Sequence, residues 1–350
     1  MPIIGGRDEP PSLRQPFKLH APASVGRRNP AGDTFLDKGQ GLPSVCVVLV
    51  NWNGGEHTIP CVESLRESDY PSLQIVVVDD GSTDCSPDRI GRRFPGLETL
   101  RQPANLGVSQ ARNRGIARAG ELGSDYVLIL DNDTRVDPTL IRCLVAEARA
   151  HGDAAAVGPK IYYLDDPARL WFAYGRLSLW TGLYFNPAYN QVDRGQFEQS
   201  VEMDAASSCC LLIPKGMLDT VGGFDPAFTR NEDVDWSLRA RRAGFKLRYC
   251  PSARVWHFAG GSSRKQPCAS IRYLLTRNQL WTIRKVGRPW HLLSVLCLYP
   301  AHCCWRLAKM SAARQWDCLW AELRGAKDGF LAPLASAETP PGTRAHPLLP

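Results

Sequence analysis

Short apolar runs that end in polar clusters dominate residues 45–133 and limit the folds open to the chain. The runs VCVVLV (45–50), IVVV (75–78) and YVLIL (126–130) are rich in β-branched residues, and each is followed by Asn or Asp. Helical patterns at 59–65, 87–94, 110–119 and 138–150 separate or follow these runs, with Pro138 expected in the first turn of the last helix. Strands that alternate with helices predict an α/β fold with a parallel sheet covered on both faces.

Polar clusters follow the three predicted strands. They are Asn51-Trp52-Asn53, Asp79-Asp80 and Asp131-Asn132-Asp133. Because ligands of open parallel sheets bind beyond the carboxyl ends of the strands, we expect these clusters to converge on one crevice. Two carboxylates separated by one residue can share Mg²⁺ or Mn²⁺ with the phosphate oxygens of a substrate. Asp79 and Asp80 need hydrogen-bond donors, which a nucleobase N–H or a ribose hydroxyl would supply.

Further acidic and imidazole groups lie in the second half of the chain. Glu232, Asp233 and Asp235 open a predicted helix at 232–243, where carboxylates either favour the positive helix end or serve as a general base with its supports. His257 ends a predicted strand at 254–257. A histidine at that point is either structural or completes a metal site with Asp131 and Asp133.

Composition sets the class of protein and its expected compartment. The chain has 350 residues, of which 44% are hydrophobic, so a sizeable core is available and global disorder is excluded. None of the 12 cysteines forms a CxxC pair, so we interpret them as buried thiols of a cytoplasmic protein. Residues 1–43 are rich in Pro, Gly and charge and predict a flexible leader without a secretory signal.

A basic segment without acids extends from Asp235 to Asp317. It is either a solvated face or a surface for an anionic membrane or a pyrophosphate-linked acceptor. Nucleic acid is not an expected partner, because no helix-turn-helix, finger or RNP-like signature is present. The apolar run at 290–307 is interrupted by Pro300 and His302, which predicts a buried or interfacial segment rather than a membrane span. We therefore hypothesise peripheral attachment to the inner face of the cell membrane.

Seven blocks carry a family resemblance. In chain order they are VCVVLVNWNGG, IVVVDDGSTD, NLGVSQARNRGIARA, YVLILDNDTRVDP, CCLLIPKGMLDTVGGFDPAF, NEDVDWSLRARRAGFKLRYCPSARVWHFAGGS and RYLLTRN. With these blocks the sequence resembles the inverting family 2 glycosyltransferases of the GT-A fold, especially the rhamnosyltransferase-like branch, over roughly residues 44–280. The chain departs from the family in AASSCCLLIP, which stands where a small-residue Gly pattern is more usual. The QxxRW signature of processive synthases is absent.

The resemblance implies an α/β fold with a GT-A type single domain at 44–265, built on a Rossmann-like, mostly parallel sheet. Its donor half would cover about 44–150 and its acceptor half about 151–265. A basic and aromatic helical C-terminal segment would follow at 266–330, and a flexible tail at 331–350.

The resemblance also implies roles for individual residues. Asp233 would be the catalytic base and Glu232 its neighbour. Asp131, Asp133 and His257 would bind Mg²⁺ or Mn²⁺, and Asp235 and Trp236 would shape the acceptor end. A dTDP- or UDP-sugar donor would be held by the following residues: Val50, Trp52, Asp79, Asp80, Arg112 and Asp131.

The implied reaction is metal-dependent transfer of one sugar, with rhamnose among the candidates, to a glycan or lipid-linked glycan acceptor in cell-surface polysaccharide synthesis, with inversion. Two other interpretations stay open at this point. One is a catalytically idle protein of the same fold that binds nucleotide or glycan. The other is a nucleotidyltransferase, although the first strand is followed by Asn51-Trp52-Asn53-Gly54-Gly55-Glu56 rather than by a Gly-rich loop with Arg or Lys.

Overall fold

The structure is a computed structural model that describes residues 41–259 and 268–332. Apart from 41–43 and 331–332, the predicted leader and tail lie outside the described residues. All elements named below belong to the unit formed by Leu42–Pro350.

Four parallel strands form the centre of the sheet. The elements of this half are β1 (Val45–Asn51), α1 (Gly55–Arg66), β2 (Leu73–Asp79), α2 (Ser86–Arg93), β3 (Glu98–Arg101), α3 (Val108–Glu121) and β4 (Tyr126–Asp131). β1 pairs in parallel with both β2 and β4, and β2 pairs in parallel with β3. The first five residues of β1 are completely buried, because helices cover the sheet on both faces. The predicted α/β fold with a mostly parallel central sheet is confirmed.

The second half extends this sheet beyond β4. Its elements are β5 (Thr134–Val136), α4 (Leu140–Ala150), β6 (Ala154–Tyr163), β7 (Arg169–Phe172), β8 (Arg176–Ser178), β9 (Leu183–Phe185), β10 (Gln191–Val192), β11 (Val201–Met203), β12 (Cys210–Pro214), α5 (Lys215–Val221), α6 (Glu232–Arg242) and β13 (Lys246–His257). The strand order is β10-β7-β6-β12-β4-β1-β2-β3. β12 runs antiparallel to β4, whereas β13 is parallel to β6 and antiparallel to β5 and β11.

Three helices form the C-terminal segment, as predicted: α7 (Cys268–Val286), α8 (Pro289–Ala312) and α9 (Trp316–Leu331). α9 packs closely on α7 at Gly325. A Cβ atom at this position would lie only 2.7 Å from the carbonyl oxygen of Tyr273, so the close approach requires glycine. None of the helices that the structure describes has the length and apolar character needed to cross a membrane.

One proline differs from its predicted placement, and a second lies inside a helix. Pro138 lies before α4, which begins at Leu140 and has Thr139 at its N-cap, so the proline is not in the first helical turn. Pro300 does not interrupt α8, which runs continuously through it. Pro300 lies on the exposed side of α8, where water can hydrogen-bond the carbonyl that loses its helical partner.

Candidate functional site

The ends of three strands bring the predicted polar clusters to one edge of the sheet. In the β1–β2 pair Asn51 lies opposite Asp79, and in the β1–β4 pair Val50 lies opposite Asp131. Asn51, Asp79 and Asp131 are the last residues of their strands, and Val50 is the last but one. The strands pair so that these ends lie side by side. The parallel pairing therefore gathers side chains that are far apart in the sequence into one crevice.

Asp79 is braced by the protein itself. Its side chain is fully buried, and Oδ1 accepts hydrogen bonds from Nδ2 of Asn51 at 2.9 Å and from Oγ of Ser82 at 2.6 Å. Nε of Arg101 lies 3.7 Å from its other oxygen. The structure thus supplies from within the chain the donors that the sequence analysis assigned to a nucleoside. The direct contact of Asp79 with a nucleoside stays a prediction.

Asp80 organises the loop that follows β3. It accepts hydrogen bonds from Nε2 of Gln102 at 2.7 Å and from the backbone N–H groups of Leu106 at 2.9 Å and Gly107 at 3.1 Å. Burial raises the pKa of the Asp80 carboxyl, although these hydrogen bonds oppose the shift. Gly107 adopts a φ of 92°, which suits glycine. Asp80 therefore fixes the entry to α3.

The loop after β1 leaves an aromatic surface open to solvent. Val50 is partly buried beneath it, and the side chain of Trp52 is half exposed. Oδ1 of Asn53 accepts the backbone N–H groups of Thr83 at 2.9 Å and Asp84 at 3.2 Å. Asn53 thereby ties this loop to the one after β2, a role that the sequence analysis did not assign to it.

Arg112 joins the two acidic motifs of the site. Its guanidinium is buried in α3, with Nη2 at 2.8 Å from Oδ1 of Asp131 and Nη1 at 2.5 Å from Oε1 of Glu232. Burial alone would lower the pKa of Arg112, but the charges of Asp131 and Glu232 outweigh it and raise the pKa. In this structure the guanidinium is engaged by carboxylates, and its contact with donor phosphates stays a prediction.

Three side chains lie close enough together to hold a divalent cation, and Asp133 contacts one of them. One ligand atom each of Asp131, Cys209 and His257 lies within 4.8 Å of the others, and Oδ1 of Asp133 is 3.1 Å from Nε2 of His257. Nδ1 of His257 is buried and has no hydrogen-bond partner among the described residues. Carboxylate and imidazole ligands suit Mn²⁺, and carboxylates with phosphate oxygens suit Mg²⁺. The residues present therefore fit the implied metal.

The acidic and basic groups of this set perturb one another. Burial raises the pKa of Asp131, and Arg112 opposes that shift. Burial also acts to raise the pKa of Asp133, but the hydrogen bond and charge of His257, together with the charge of His57, outweigh burial and lower it. The same bond raises the pKa of His257 against the effect of burial. The carboxylate and the imidazole of the Asp133–His257 pair thus stabilise each other in their charged forms.

Cys209 was interpreted from the sequence only as a buried thiol, yet the structure places it among these ligands. Burial raises the pKa of its thiol well above the ordinary value, and the charges of Asp131 and Asp133 act in the same direction. Its carbonyl oxygen accepts the backbone N–H of Asp131 at 2.8 Å. That contact follows from the antiparallel pairing of β12 with β4, which no local pattern in the sequence reveals.

The first turn of α6 presents Glu232 and Asp233. Oδ2 of Asp233 accepts the backbone N–H of Ser208 at 3.0 Å, and Oγ of Ser208 donates to Oε1 of Glu232 at 3.0 Å. Burial raises the pKa of Asp233 to about 7, and the charge of Glu232 adds to the shift. A carboxylate with such a pKa can accept a proton near neutral pH. Ser208 was not identified from the sequence.

Asp235 and Trp236 point into the protein. Asp235 is fully buried, with Nε of Arg239 at 2.8 Å and Nζ of Lys285 at 2.9 Å from its oxygens. Trp236 is also fully buried and donates its indole N–H to the carbonyl oxygen of Gly222 at 2.8 Å. These residues hold α6 in place. Their role in shaping the acceptor end stays a prediction, and they would exert it through the position of that helix.

Comparisons with known proteins agree on a family. The family model described as Glycosyl transferase family 2 matches residues 46–219. The N-acetylglucosaminyl-diphospho-decaprenol L-rhamnosyltransferase of Mycobacterium tuberculosis is 29% identical over 248 residues, which cover 64% of this chain and 79% of that protein. The pre-mycofactocin glycosyltransferase of the same species is 30% identical over 237 residues, covering 66% of this chain and 44% of that protein.

Solved structures show the same fold. The mannosyltransferase PcManGT from Pyrobaculum calidifontis, solved with GDP-Man and Mn²⁺, superposes with a TM-score of 0.55 at 16% identity and covers 83% of this chain and 87% of its own. GalNAc-T7, solved with UDP, GalNAc and Mn²⁺, superposes with a TM-score of 0.54 at 20% identity, covering 71% of this chain and 48% of its own. With the fold, the family model and the sequence relatives in agreement, this chain belongs to the family 2 glycosyltransferases and is a glycosyltransferase of the GT-A fold.

Proposed function

We propose that this protein is a metal-dependent, inverting glycosyltransferase. In this proposal it moves one sugar from a nucleotide-diphosphate donor to a hydroxyl of a glycan or lipid-linked glycan acceptor, in the synthesis of a cell-surface polysaccharide. The observation that carries the proposal is the position of Arg112, which contacts Asp131 on one side and Glu232 on the other. Asp131, which would bind the cation, and Glu232, the neighbour of the proposed base Asp233, are thereby held at the two sides of one guanidinium.

Asp233 is the base in the proposed mechanism. It removes the proton from the acceptor hydroxyl, whose oxygen forms a bond to the anomeric carbon. The bond from that carbon to the diphosphate breaks, and its electron pair leaves with the nucleoside diphosphate. Because attack and departure occur on opposite faces, one displacement inverts the configuration. The pKa of Asp233, raised to about 7, suits this proton transfer.

The metal would be Mg²⁺ or Mn²⁺, held by Asp131, Asp133 and His257 with the thiol of Cys209 close by. A divalent cation in that place offsets the negative charge on a departing diphosphate. The chain's own contribution is to keep the carboxylates and the imidazole in position through Arg112 and through the β4–β12 pairing.

We propose a dTDP- or UDP-sugar as donor, and rhamnose as the first sugar to test. The rhamnosyltransferase of M. tuberculosis supports that choice, and its decaprenol-linked acceptor supports a lipid-linked one here. Val50 and Trp52 would line the nucleobase site, with Asp80 beside the ribose and Asp79 bracing the loops. The reaction would take place at the cytoplasmic face of the membrane.

A donor screen tests the proposal. Purified protein is heated with UDP-, dTDP- and GDP-sugars, with and without Mn²⁺, and donor hydrolysis is followed in parallel. We expect one donor to raise the melting temperature only when Mn²⁺ is present. Asp233→Asn should keep that shift and lose turnover, and Asp317→Asn, an exposed aspartate in α9, serves as the matched control. The proposal fails if no donor stabilises the protein with metal, which would favour an idle binding protein.

A further inference from the structure

α8 is apolar on a face that the protein leaves uncovered. One side of this helix packs on the neighbouring helices through Val295, Tyr299 and Met310, which are buried. Among the described side chains of α8, the exposed ones carry no charge. They are Pro289, Trp290, Leu293, Leu296, Cys297, Leu298, Pro300, Ala301, Cys304, Trp305, Ala308 and Ala312. A contiguous apolar patch that is exposed on a soluble protein marks a site of interaction with another protein or with a membrane.

The β8–β9 hairpin continues the apolar surface of α8. The ring of Trp180, in the hairpin turn, lies 4.9 Å from the ring of His291 in α8, and Ser294 donates a hydrogen bond to the carbonyl oxygen of Trp180. Trp180 and Phe185 are both more than half exposed. The hairpin also packs closely on α7 at Gly182. A Cβ atom there would lie 2.8 Å from Cδ1 of Ile283. Helix and hairpin together form one exposed apolar surface, which we call the α8 surface.

The exposed charges of the chain segment that contains α8 and α9 are mainly positive. Within the described side chains of 287–332, the exposed charged residues are four bases and one acid, namely Arg288, Arg314, Arg324, Lys327 and Asp317. The guanidinium of Arg288 stacks at 5.1 Å over the ring of Trp290, at the start of the apolar face. An apolar helix face with Trp residues and flanking bases is the pattern of helices that lie flat in the interface of an anionic membrane.

We propose that the α8 surface rests on an anionic lipid bilayer, with α8 lying in the plane of the membrane. A second copy of the chain is a poorer occupant, because symmetric pairing would bring the same excess of positive charge together from both copies. The anionic headgroups of a bilayer complement those charges, and the acyl region accepts the leucine and tryptophan side chains.

The hairpin also links this surface to the proposed catalytic base. Leu177 and Leu179 pack against a small apolar cluster that contains Val234, the residue that follows Asp233. The same hairpin contacts α8 through Trp180. This step rests on the proposed function: a glycan acceptor whose apolar anchor stays in the bilayer would reach Asp233 along the hairpin. The arrangement thus indicates a membrane-resident acceptor rather than a free oligosaccharide.

Native cysteines report on the docking directly. The interpretation of all cysteines as buried thiols was wrong for three of them: Cys297 and Cys304 are exposed on the α8 surface, and Cys85, just before α2, is an exposed control. The full chain is treated with a membrane-impermeant maleimide, with and without phosphatidylglycerol vesicles, and the label at each cysteine is quantified by mass spectrometry. Labelling of Cys297 and Cys304 should slow by roughly tenfold at lipid concentrations that bind nine-tenths of the protein. Labelling of Cys85 should not change.

Two outcomes would overturn the proposal. One is equal labelling of Cys297 and Cys304 with and without vesicles. The other is protection that needs no vesicles and grows with protein concentration, which would assign the surface to self-association. Uncharged phosphatidylcholine vesicles should protect less, and added salt should reduce protection by phosphatidylglycerol.

A pair of matched variants separates docking from catalysis. Leu293→Asp places a charge on the α8 surface at a residue that is 63% exposed, and Tyr189→Asp does so elsewhere at a residue that is 61% exposed. Only Leu293→Asp should abolish vesicle flotation, and it should leave donor hydrolysis in solution unchanged. If the donor screen fails but vesicles still protect Cys297 and Cys304, then the proposed function is wrong and the docking stands.

Discussion

Nη2 of Arg112 lies 2.8 Å from Oδ1 of Asp131, and the other terminal nitrogen of the same guanidinium contacts Glu232. α3 thereby joins the end of β4 to the start of α6, two elements that are separated by about a hundred residues of chain. Phe224 lies under the guanidinium, with its ring centre 5.6 Å from Cζ. The buried cation therefore sets the relative position of the two acidic motifs, and its removal leaves carboxylates uncompensated.

Replacing Arg112 should destabilise the protein. Arg112→Ala leaves the buried Glu232 and the partly buried Asp131 without their partner, for which we expect a loss of about 3 kcal/mol in the free energy of unfolding. Urea denaturation followed by circular dichroism measures that loss. Arg118→Ala is the matched control on the same helix, because its ion pairs with Glu98 and Glu121 lie at the surface. Similar stability of the two variants would contradict the bracing role of Arg112.

Asp233→Asn should separate activity from stability. Loss of the base should lower kcat by about 10²–10⁴-fold while donor binding persists.

Because the pKa of Asp233 is raised from 3.8 to about 7, the folded protein binds its proton more tightly than the unfolded chain does. This group's contribution to stability therefore falls as pH rises from 3.8 to 7. Above pH 7 the Asn variant should melt at a higher temperature than the parent protein, and at pH 3.5 the difference should vanish.

The pH profile of the parent enzyme follows from the same group. Transfer needs the carboxylate form of Asp233, so kcat/KM should rise tenfold per pH unit below about 7 and level off above it. Initial rates from pH 5 to pH 9 at saturating Mn²⁺ measure the profile. A rate that is flat between pH 5 and pH 7 would remove Asp233 from the role of base.

Chelation should abolish donor binding, and the choice of metal should depend on Cys209. Removing metal with EDTA should remove the thermal shift by donor, and Mn²⁺ should restore it in the parent protein but not in Asp133→Ala.

A thiol among the ligand atoms favours Zn²⁺ over Mg²⁺. Cys209→Ser should therefore weaken Zn²⁺ binding in calorimetry and leave Mn²⁺ binding nearly unchanged. The control is Cys210→Ser, the neighbouring buried thiol outside the ligand set.

Local patterns were sufficient to predict the parallel centre of the fold. β-branched runs such as 45–50, bounded by turn residues, favour buried strands, and the polar residues that follow Val50 and Leu130 lie at the same edge once the strands are parallel. Asp131, Asp133 and His257 were grouped from strand ends alone, and the structure places them together. Their roles with metal are still predictions.

Non-local pairing set the limit of the sequence analysis. Cys209 and Ser208 enter the site because β12 adds to β4 in the antiparallel sense, and neither residue stands out from its apolar surroundings. The protein partners of Asp79 and Arg112 depend on loops and helices that fold over the strand ends. The exposed face of α8 could not be distinguished from a buried one, because both faces of the helix contain apolar side chains.

The ion pair of the buried Asp235 with the partly exposed Lys285 should couple α6, which carries the proposed base, to the C-terminal segment. Asp235 lies in α6 and Lys285 at the end of α7, just before α8 begins, so this contact lies between the proposed base and the α8 surface. Asp235→Ala leaves Arg239 and Lys285 without their buried carboxylate, and we expect a loss of about 3 kcal/mol in stability.

Hydrogen exchange should show where this loss occurs. In Asp235→Ala the amides of α6 and the last turns of α7 should exchange faster, while those of β1 and β4 stay protected. Because the base then moves relative to the membrane-facing hairpin, KM for the acceptor should rise more than KM for the donor. Asp317→Ala, at an exposed aspartate, should change none of these quantities. Equal rises in both KM values would show that α6 acts on the site as a whole, and the proposed coupling to the acceptor side would be wrong.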